Sequence, residues 1–319
     1  MKKYIALCAI FLYGGCQVDV FGWGFYGHYM INRMAIFSLP PEMFGFYKLH
    51  HQYLIENSVN PDKRRYAVVG EAPRHFIDLD VYGDSALYKM PRYWQQAIDK
   101  YGEDTLMAHG VVPWHIQLMK HQLTEAFNAK DTKKILRLSA DMGHYIADAH
   151  VPLHTTHNYN GQLTGQRGIH GLWESRLPEL YAKNYNFFVG KASYINNTQE
   201  SAWKAVASAH LALDSVFTFE SDVSNRFPDD KKFSFEQRGA TIMKVYSEEF
   251  SQAYHQMLAG QVERQMRASV KMIADMWYTC WVDAGQPNLD GLKNASFTKK
   301  ELELIEKENT LPAELEEHH

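Results

Sequence analysis

His144 and Asp148 stand four residues apart in a run, residues 131–150, that reads as a helix, so both side chains project to one spot. His154 follows in Val151-Pro152-Leu153-His154, just beyond the proline that ends the run. Past a loop rich in Gly, Asn and Gln (Tyr159 to Gly168), His170 and Glu174 repeat the four-residue spacing around Trp173. Imidazole nitrogen and carboxylate oxygen without thiolate favour zinc, iron or manganese over a cysteine-based structural site. A single His-x-x-x-Asp is an ordinary hydrogen-bonded pair or a solvated face. The signal lies in the series, which continues upstream through Trp23, His28, Asp62 and His75; 12 of the 16 histidines fall between His28 and His170. Competing metal motifs are missing from the sequence: there is no His-Glu-x-x-His, no His is followed by Asp, and the one Glu-x-x-His is Glu316–His319.

These residues need a scaffold, and the pattern predicts helices. Ile135, Leu138, Met142, Tyr145 and Ile146 make an apolar stripe on the 131–150 segment, with Asp131 as its N-cap. The same period runs through 113–129, 199–216 and 235–285, the last as two helices in which Met243, Tyr246, Phe250, Tyr254 and Met257 face a core. Strand signals are weak. With 319 residues, 45% of them hydrophobic and 22% charged, the chain can bury a large core. No apolar run reaches the ~20 residues of a membrane span. A formal charge of −4 argues against a protein that binds by blanketing phosphates with Lys and Arg. The expectation is a single-domain, all-α, multi-helix fold over residues 23–290, with a charged tail over 291–319.

Residues 1–22 read as a signal peptide: Lys2 and Lys3 precede the short apolar stretch Tyr4 to Tyr13, and Gly22 offers a small residue for cleavage. This predicts a secreted or periplasmic protein. Lipid attachment at Cys16, in Gly14-Gly15-Cys16, is the lesser alternative because Tyr13 suits such a site poorly. Cleavage after Gly22 removes Cys8 and Cys16 and leaves Cys280 alone, without an intrachain disulfide; a metal cluster would then serve as the staple.

Trp23-x4-His28, Asp62-x2-Arg65, His75-Phe76-Ile77-Asp78, His144-x3-Asp148-x5-His154 and His170-x3-Glu174, in that order, resemble the trinuclear zinc phosphoesterases. That family comprises bacterial zinc-dependent phospholipases C and the fungal and plant single-strand nucleases of the S-one/P-one type. The resemblance spans Trp23–Glu174, about half the chain. It implies three zinc ions per chain, the first held by Asp62, His75, His144 and Asp148 and the second by His154, His170 and Glu174. The third would be held by His28, by Asp148 as a bridge, and by the free α-amine and carbonyl of Trp23. That last ligand requires cleavage before Trp23. The resemblance also implies that Arg65 clamps a phosphoryl group and that Asp62 has a lesser part in proton transfer, leaving Arg64 as a surface charge.

Phe76 and Asp78 match residues that stack on and hydrogen-bond a nucleobase in the nucleases, but a similar segment occurs in the phospholipases, where Phe76 would be core and Asp78 a support to a ligand. The short Trp23–His28 spacing and Asp62-x2-Arg65 lean towards nucleases. Glu174 in place of Asp, and Asn160-Gly161-Gln162 in place of Gly-Gly-Asn, lean away from them. Tyr82, Tyr88, Tyr93 and Trp94 line a pocket or belong to the core. His115, His150 and His157 match no ligand position and are expected to support the site or lie on the surface. The implied function is zinc-dependent phosphodiester hydrolysis, nuclease- or 3'-nucleotidase-like on single-stranded nucleic acid. A phospholipase C acting on phospholipid headgroups is the alternative, and a non-catalytic, metal-stapled helical binding protein the second. No stable protein partner is expected, and the protein is expected to be a monomer.

Overall fold

The computed structural model describes residues 24–238, 241–293 and 297–310. Its heart is the helix Thr132–Asp148, packed against Phe25–Ile36, Val112–Asn128 and Gln261–Asp283. The Asp131 carboxylate caps it by accepting from the Lys134 backbone N–H at 3.1 Å, as the sequence leads one to expect. Ile135, Met142, Tyr145 and Ile146 are fully buried and Leu138 nearly so. From Leu138 to Asp148, however, every residue is buried, on all sides of the helix. The polar stripe opposite the apolar one therefore faces other protein groups, and that inward polar face makes a buried site possible.

Large aromatic residues lock the bundle. Trp277 stacks on Tyr47 at 4.9 Å between ring centroids and donates its indole N–H to the Ser139 carbonyl at 3.1 Å. Tyr47 is also joined to Ser139 Oγ at 2.9 Å. Close approach of the first helix depends on Gly143: a Cβ there would collide with the side-chain amide of Asn32, which itself donates to the His28 carbonyl at 3.0 Å. Among the described residues no helix is long and apolar enough to cross a membrane.

The fold is mostly α-helical, with two corrections to the helical reading. The 199–216 pattern is split, with helices Thr198–Leu211 and Leu213–Arg226 meeting at Ala212. More importantly, the 235–285 segment opens with an antiparallel hairpin, Phe233–Arg238 paired with Thr241–Tyr246, before helices Glu248–Met257 and Gln261–Asp283. In its first strand Phe233 and Phe235 alternate with Ser234 and Glu236, the period of a strand, and the β-branched Thr241, Ile242 and Val245 of the second suit a pleated surface. Met243 and Tyr246 thus belong to a strand, whereas Phe250 and Tyr254 are buried helical positions as expected. Beyond residue 290, helix Lys299–Thr310 packs against Asn60–Arg64, with Lys133 Nζ 2.5 Å from Glu301 and Tyr53 stacked on Phe297. The expected leader, with Cys8 and Cys16, lies outside the described residues, as does Trp23. Cys280 is free and buried.

Candidate metal centre

Six local structures bring the expected side chains together. His28 comes from helix Phe25–Ile36, and Asp62 from the single turn Asn60–Arg64. His75 ends the 3-10 turn Ala72–His75, and His144 and Asp148 share the central helix. His154 lies in the 3-10 turn Pro152–Thr155. His170 sits in the turn Ile169–Gly171, which runs into a π-helical turn, Leu172–Arg176, carrying Glu174. Wide turns of this kind are enriched at functional sites; here His170 Nε2 lies 2.7 Å from Glu174 Oε2. All eight residues are buried, none more than 3% exposed.

They form three clusters; His144 belongs to two of them, and Asp148 reaches the histidines of both. Asp148 Oδ2 lies 2.9 Å from His75 Nδ1 and 3.2 Å from His144 Nε2, and its other oxygen lies 3.4 Å from His28 Nε2. Asp62 Oδ1 is 3.5 Å from His144 Nε2 and 3.7 Å from His75 Nδ1. His154 Nε2 faces His170 Nε2 at 3.1 Å and Glu174 Oε2 at 3.5 Å. His28 lies flat on His144, with centroids 4.0 Å apart. In each of the groups His28–His144–Asp148, Asp62–His75–His144 and His154–His170–Glu174, one ligand atom per residue falls within 4.8 Å of the others. Gly24, the first described residue, donates its backbone N–H to the Glu174 carbonyl at 3.2 Å.

Backbone oxygens set the orientation of the rings. His144 Nδ1 donates to the Ser58 carbonyl at 2.9 Å and His154 Nδ1 to the His75 carbonyl at 2.7 Å, which turns both Nε2 atoms inward as lone pairs. Behind His75 stands the Glu71 carboxylate instead, an ion-pair partner with Oε1 3.7 Å from Nε2, beyond hydrogen-bond distance. Sequence reasoning missed Glu71. It is wholly buried and also bonded to Arg64 Nε at 3.1 Å, to Arg74 at 2.7 Å and to the Tyr145 hydroxyl. The one trace it leaves in the sequence is its place four residues before His75.

Arg64 is likewise a correction, since it is a buried ion-pair partner and not a surface charge. Its guanidinium holds Asp141 at 3.1 Å and donates to Tyr145 at 3.0 Å. Neighbouring residues on a helical turn point about 100° apart, so Arg65 aims elsewhere; half-buried, it acts electrostatically on His154, His170 and Glu174.

The charge pattern asks for cations. Burial lowers the pKa of His154 to about 4, and burial with the neighbouring His154 and Arg65 holds His170 far below the ordinary value. His28 is lowered by burial and by His144. Glu174 is pushed well up, by burial first and then by Asp148 and Asp62. Burial opposes charge on His144, yet the flanking Asp148 and Asp62 outweigh it and raise its pKa to about 10. Burial opposes ionisation of Asp148 too, but His144 and His154 keep it well below the usual range. Among the described residues, both ring nitrogens of His28, both oxygens of Asp62 and of Glu174, Asp148 Oδ1 and His170 Nδ1 are buried without a hydrogen bond. Several sit close to a neighbour without donor–acceptor alignment. Orphaned buried polar atoms are costly and rare; these belong to the clustered residues, and His28 Nε2, Asp148 Oδ1 and Glu174 Oε2 lie within 3.5 Å of another member, as donors around an ion would. The clusters could hold metal ions, and the donor set fits zinc.

The remaining expected residues divide. Phe76 is half-buried, neither core nor fully open, and its ring lies against Gly110, where a Cβ would strike it. Asp78 is buried and shared between His109 Nδ1 at 3.4 Å and His157 Nδ1 at 3.5 Å. Tyr82 and Trp94 pack on the core, whereas Tyr88 and Tyr93 are exposed. His115 and His150 are buried and His157 is exposed. The loop tyrosine Tyr159, unmarked in the sequence, stands 5.9 Å from the His170 ring. No protein-family model matches the chain, and no curated protein matches it.

Proposed function

We propose that this chain is a zinc-dependent phosphodiester hydrolase acting on single-stranded nucleic acid or nucleotides, exported and cleaved before Trp23. The observation that carries the reading is the gathering of three buried His/carboxylate clusters, two of them joined through His144 and Asp148, with many of their carboxylate oxygens and one imidazole left without a hydrogen bond. Asp62, His75, His144 and Asp148 would hold one ion, His154, His170 and Glu174 another, and His28 with Asp148 a third that Trp23 completes. Bound zinc supplies a nucleophile at neutral pH and charge stabilisation for a phosphorane-like transition state.

The chain's own residues do the rest. Asp62, Asp148 and Glu174 concentrate negative charge where cations are wanted. The Ser58 and His75 carbonyls and Glu71 keep the imidazoles aimed inward. Arg65, electrostatically coupled to the His154–His170–Glu174 cluster, would grip two phosphoryl oxygens in a bidentate manner. Phe76 offers an aromatic face for a base.

One observation favours the phospholipid alternative: the Asp78 carboxylate is already engaged by two imidazoles, which weakens it as an acceptor for a base. The test is hydrolysis by metal-analysed protein, with single-stranded DNA and RNA set against phosphatidylcholine vesicles, before and after chelation and zinc return. Release of acid-soluble nucleotides, lost with chelator and in Arg65→Ala, supports the reading. Release of phosphorylcholine alone replaces it with the alternative. Retained zinc without turnover of either substrate leaves the metal-stapled binding protein.

A further inference from the structure

Asp78, His109 and His157 make a fourth cluster, with no member among the residues of the three buried groups and one ligand atom of each within 4.8 Å of the others. We propose that these three side chains form a separate, solvent-accessible site for a divalent transition-metal ion of the zinc type. The site goes beyond the hydrolase reading and does not depend on it.

Spacing is the first argument. In a tetrahedral zinc site with bonds near 2.0–2.2 Å, neighbouring ligand atoms stand roughly 3.3–3.5 Å apart. Asp78 Oδ2 lies 3.4 Å from His109 Nδ1 and 3.5 Å from His157 Nδ1, long for hydrogen bonds to a carboxylate and right for two edges of such a site. The second argument is support from the backbone. The Asp78 N–H donates to the His109 carbonyl at 2.8 Å, tying two of the ligands together. The His157 N–H donates to Asp80 at 2.9 Å, and the His157 carbonyl accepts from Gln162 at 2.6 Å. Asp80 also accepts from Thr156 Oγ1 at 2.7 Å, and the His109 ring meets the Tyr82 ring edge-on at 6.1 Å. All three ligands are thus presented on restrained backbone, as a preformed site requires.

The third argument is access. The Asp78 side chain is 8% exposed, while His109 is 31% and His157 56% exposed, so an ion enters from solvent and keeps an open position for water or an anionic oxygen. Burial and the neighbouring Asp80 push the Asp78 carboxyl upwards, and a cation would relieve both effects. Imidazole-rich donors select Zn2+, Cu2+ and Ni2+ over Mg2+ and Ca2+.

The test is a zinc titration of the full chain, with its tightly held metal measured beforehand, against a chromophoric chelator. The expected result is one further, exchangeable equivalent of Zn2+, competed by Ni2+ and not by Mg2+. His157→Gln, an exposed change that spares the core, should weaken that equivalent at least about tenfold. His109→Gln combined with it should abolish the equivalent, with tight metal content and thermal midpoint unchanged. Equal exchangeable uptake by wild type and the double variant, or none by wild type, overturns the proposal. Because the readout is a metal count, a protein that hydrolyses nothing still reports on this site, and loss of the tight metals alone counts against the hydrolase reading only.

Discussion

The buried clusters and the rim cluster use the same donors, imidazole and carboxylate, in opposite settings. In the interior, eight buried residues form three groups, two of them joined through His144 and Asp148, and several of their polar atoms lack a hydrogen bond. At the rim, one buried carboxylate meets two histidines open to water. Interior donors could not be solvated if a bound cation left, so occupancy there would be coupled to folding; rim donors would exchange an ion for water at little cost to the fold. Burial, and not residue type, separates a structural commitment from an exchangeable one.

The sharpest way to break this comparison is Asp148→Asn. It removes the carboxylate shared by two interior clusters and strands their histidines, so it should cost about 3–5 kcal/mol and most of the tight metal, as read by denaturant melts and metal analysis. Unchanged metal content would erase the distinction between interior and rim. Gly143→Val comes next. The clash with Asn32 pries the His28 helix from the His144 helix, and about 1–3 kcal/mol should be lost, with weakened retention of one ion before the others.

Glu71→Gln keeps the shape but removes the charge behind His75. Metal affinity should fall about 10- to 100-fold in chelator competition while the fold persists. His115 tests the interior without touching a proposed ligand. Burial first, then Arg74, holds its pKa at about 3, against ~6.5 in an unfolded chain. Below pH 6.5 the unfolded chain gains a proton that the fold refuses, so stability falls as pH drops towards 3. Between pH 7 and pH 5 wild type should lose about 2 kcal/mol more than His115→Gln, as measured by the pH dependence of denaturant midpoints. The smallest effect belongs to His157→Gln, whose thermal midpoint should not move.

Legibility from sequence followed chemistry with a short period. His144–Asp148 and His170–Glu174 could be seen because four residues bring side chains to one helix face, and the Asp131 cap could be seen because it is local. The ordered series of motifs carried His28, Asp62, His75 and His154 as well, and the structure brings all eight side chains into one buried region. Glu71 escaped because a lone carboxylate four residues before a histidine, outside any long helical pattern, carries little signal of its own, and Arg64 because its partners Asp141 and Tyr145 lie some 70 or more residues away. His109 escaped for the same reason, 31 residues from Asp78. The hairpin was misread because Met243 and Tyr246, three apart in its second strand, continue the three- and four-residue spacing of Phe250, Tyr254 and Met257 in the helix that follows.

That hairpin bears on how far the site can be cut out of its surroundings. Arg176, two residues past Glu174, grips Glu236 on the first strand with both terminal nitrogens, at 2.9 and 2.5 Å, and Trp173 donates to Gln261 at 3.0 Å. Every proposed side-chain ligand precedes residue 175, yet the turn that carries the last of them is anchored from the C-terminal half. A minimal fragment ending at the final ligand would carry the full donor set without its moorings, so any miniaturised version of this centre must keep the strand and the long helix that follow.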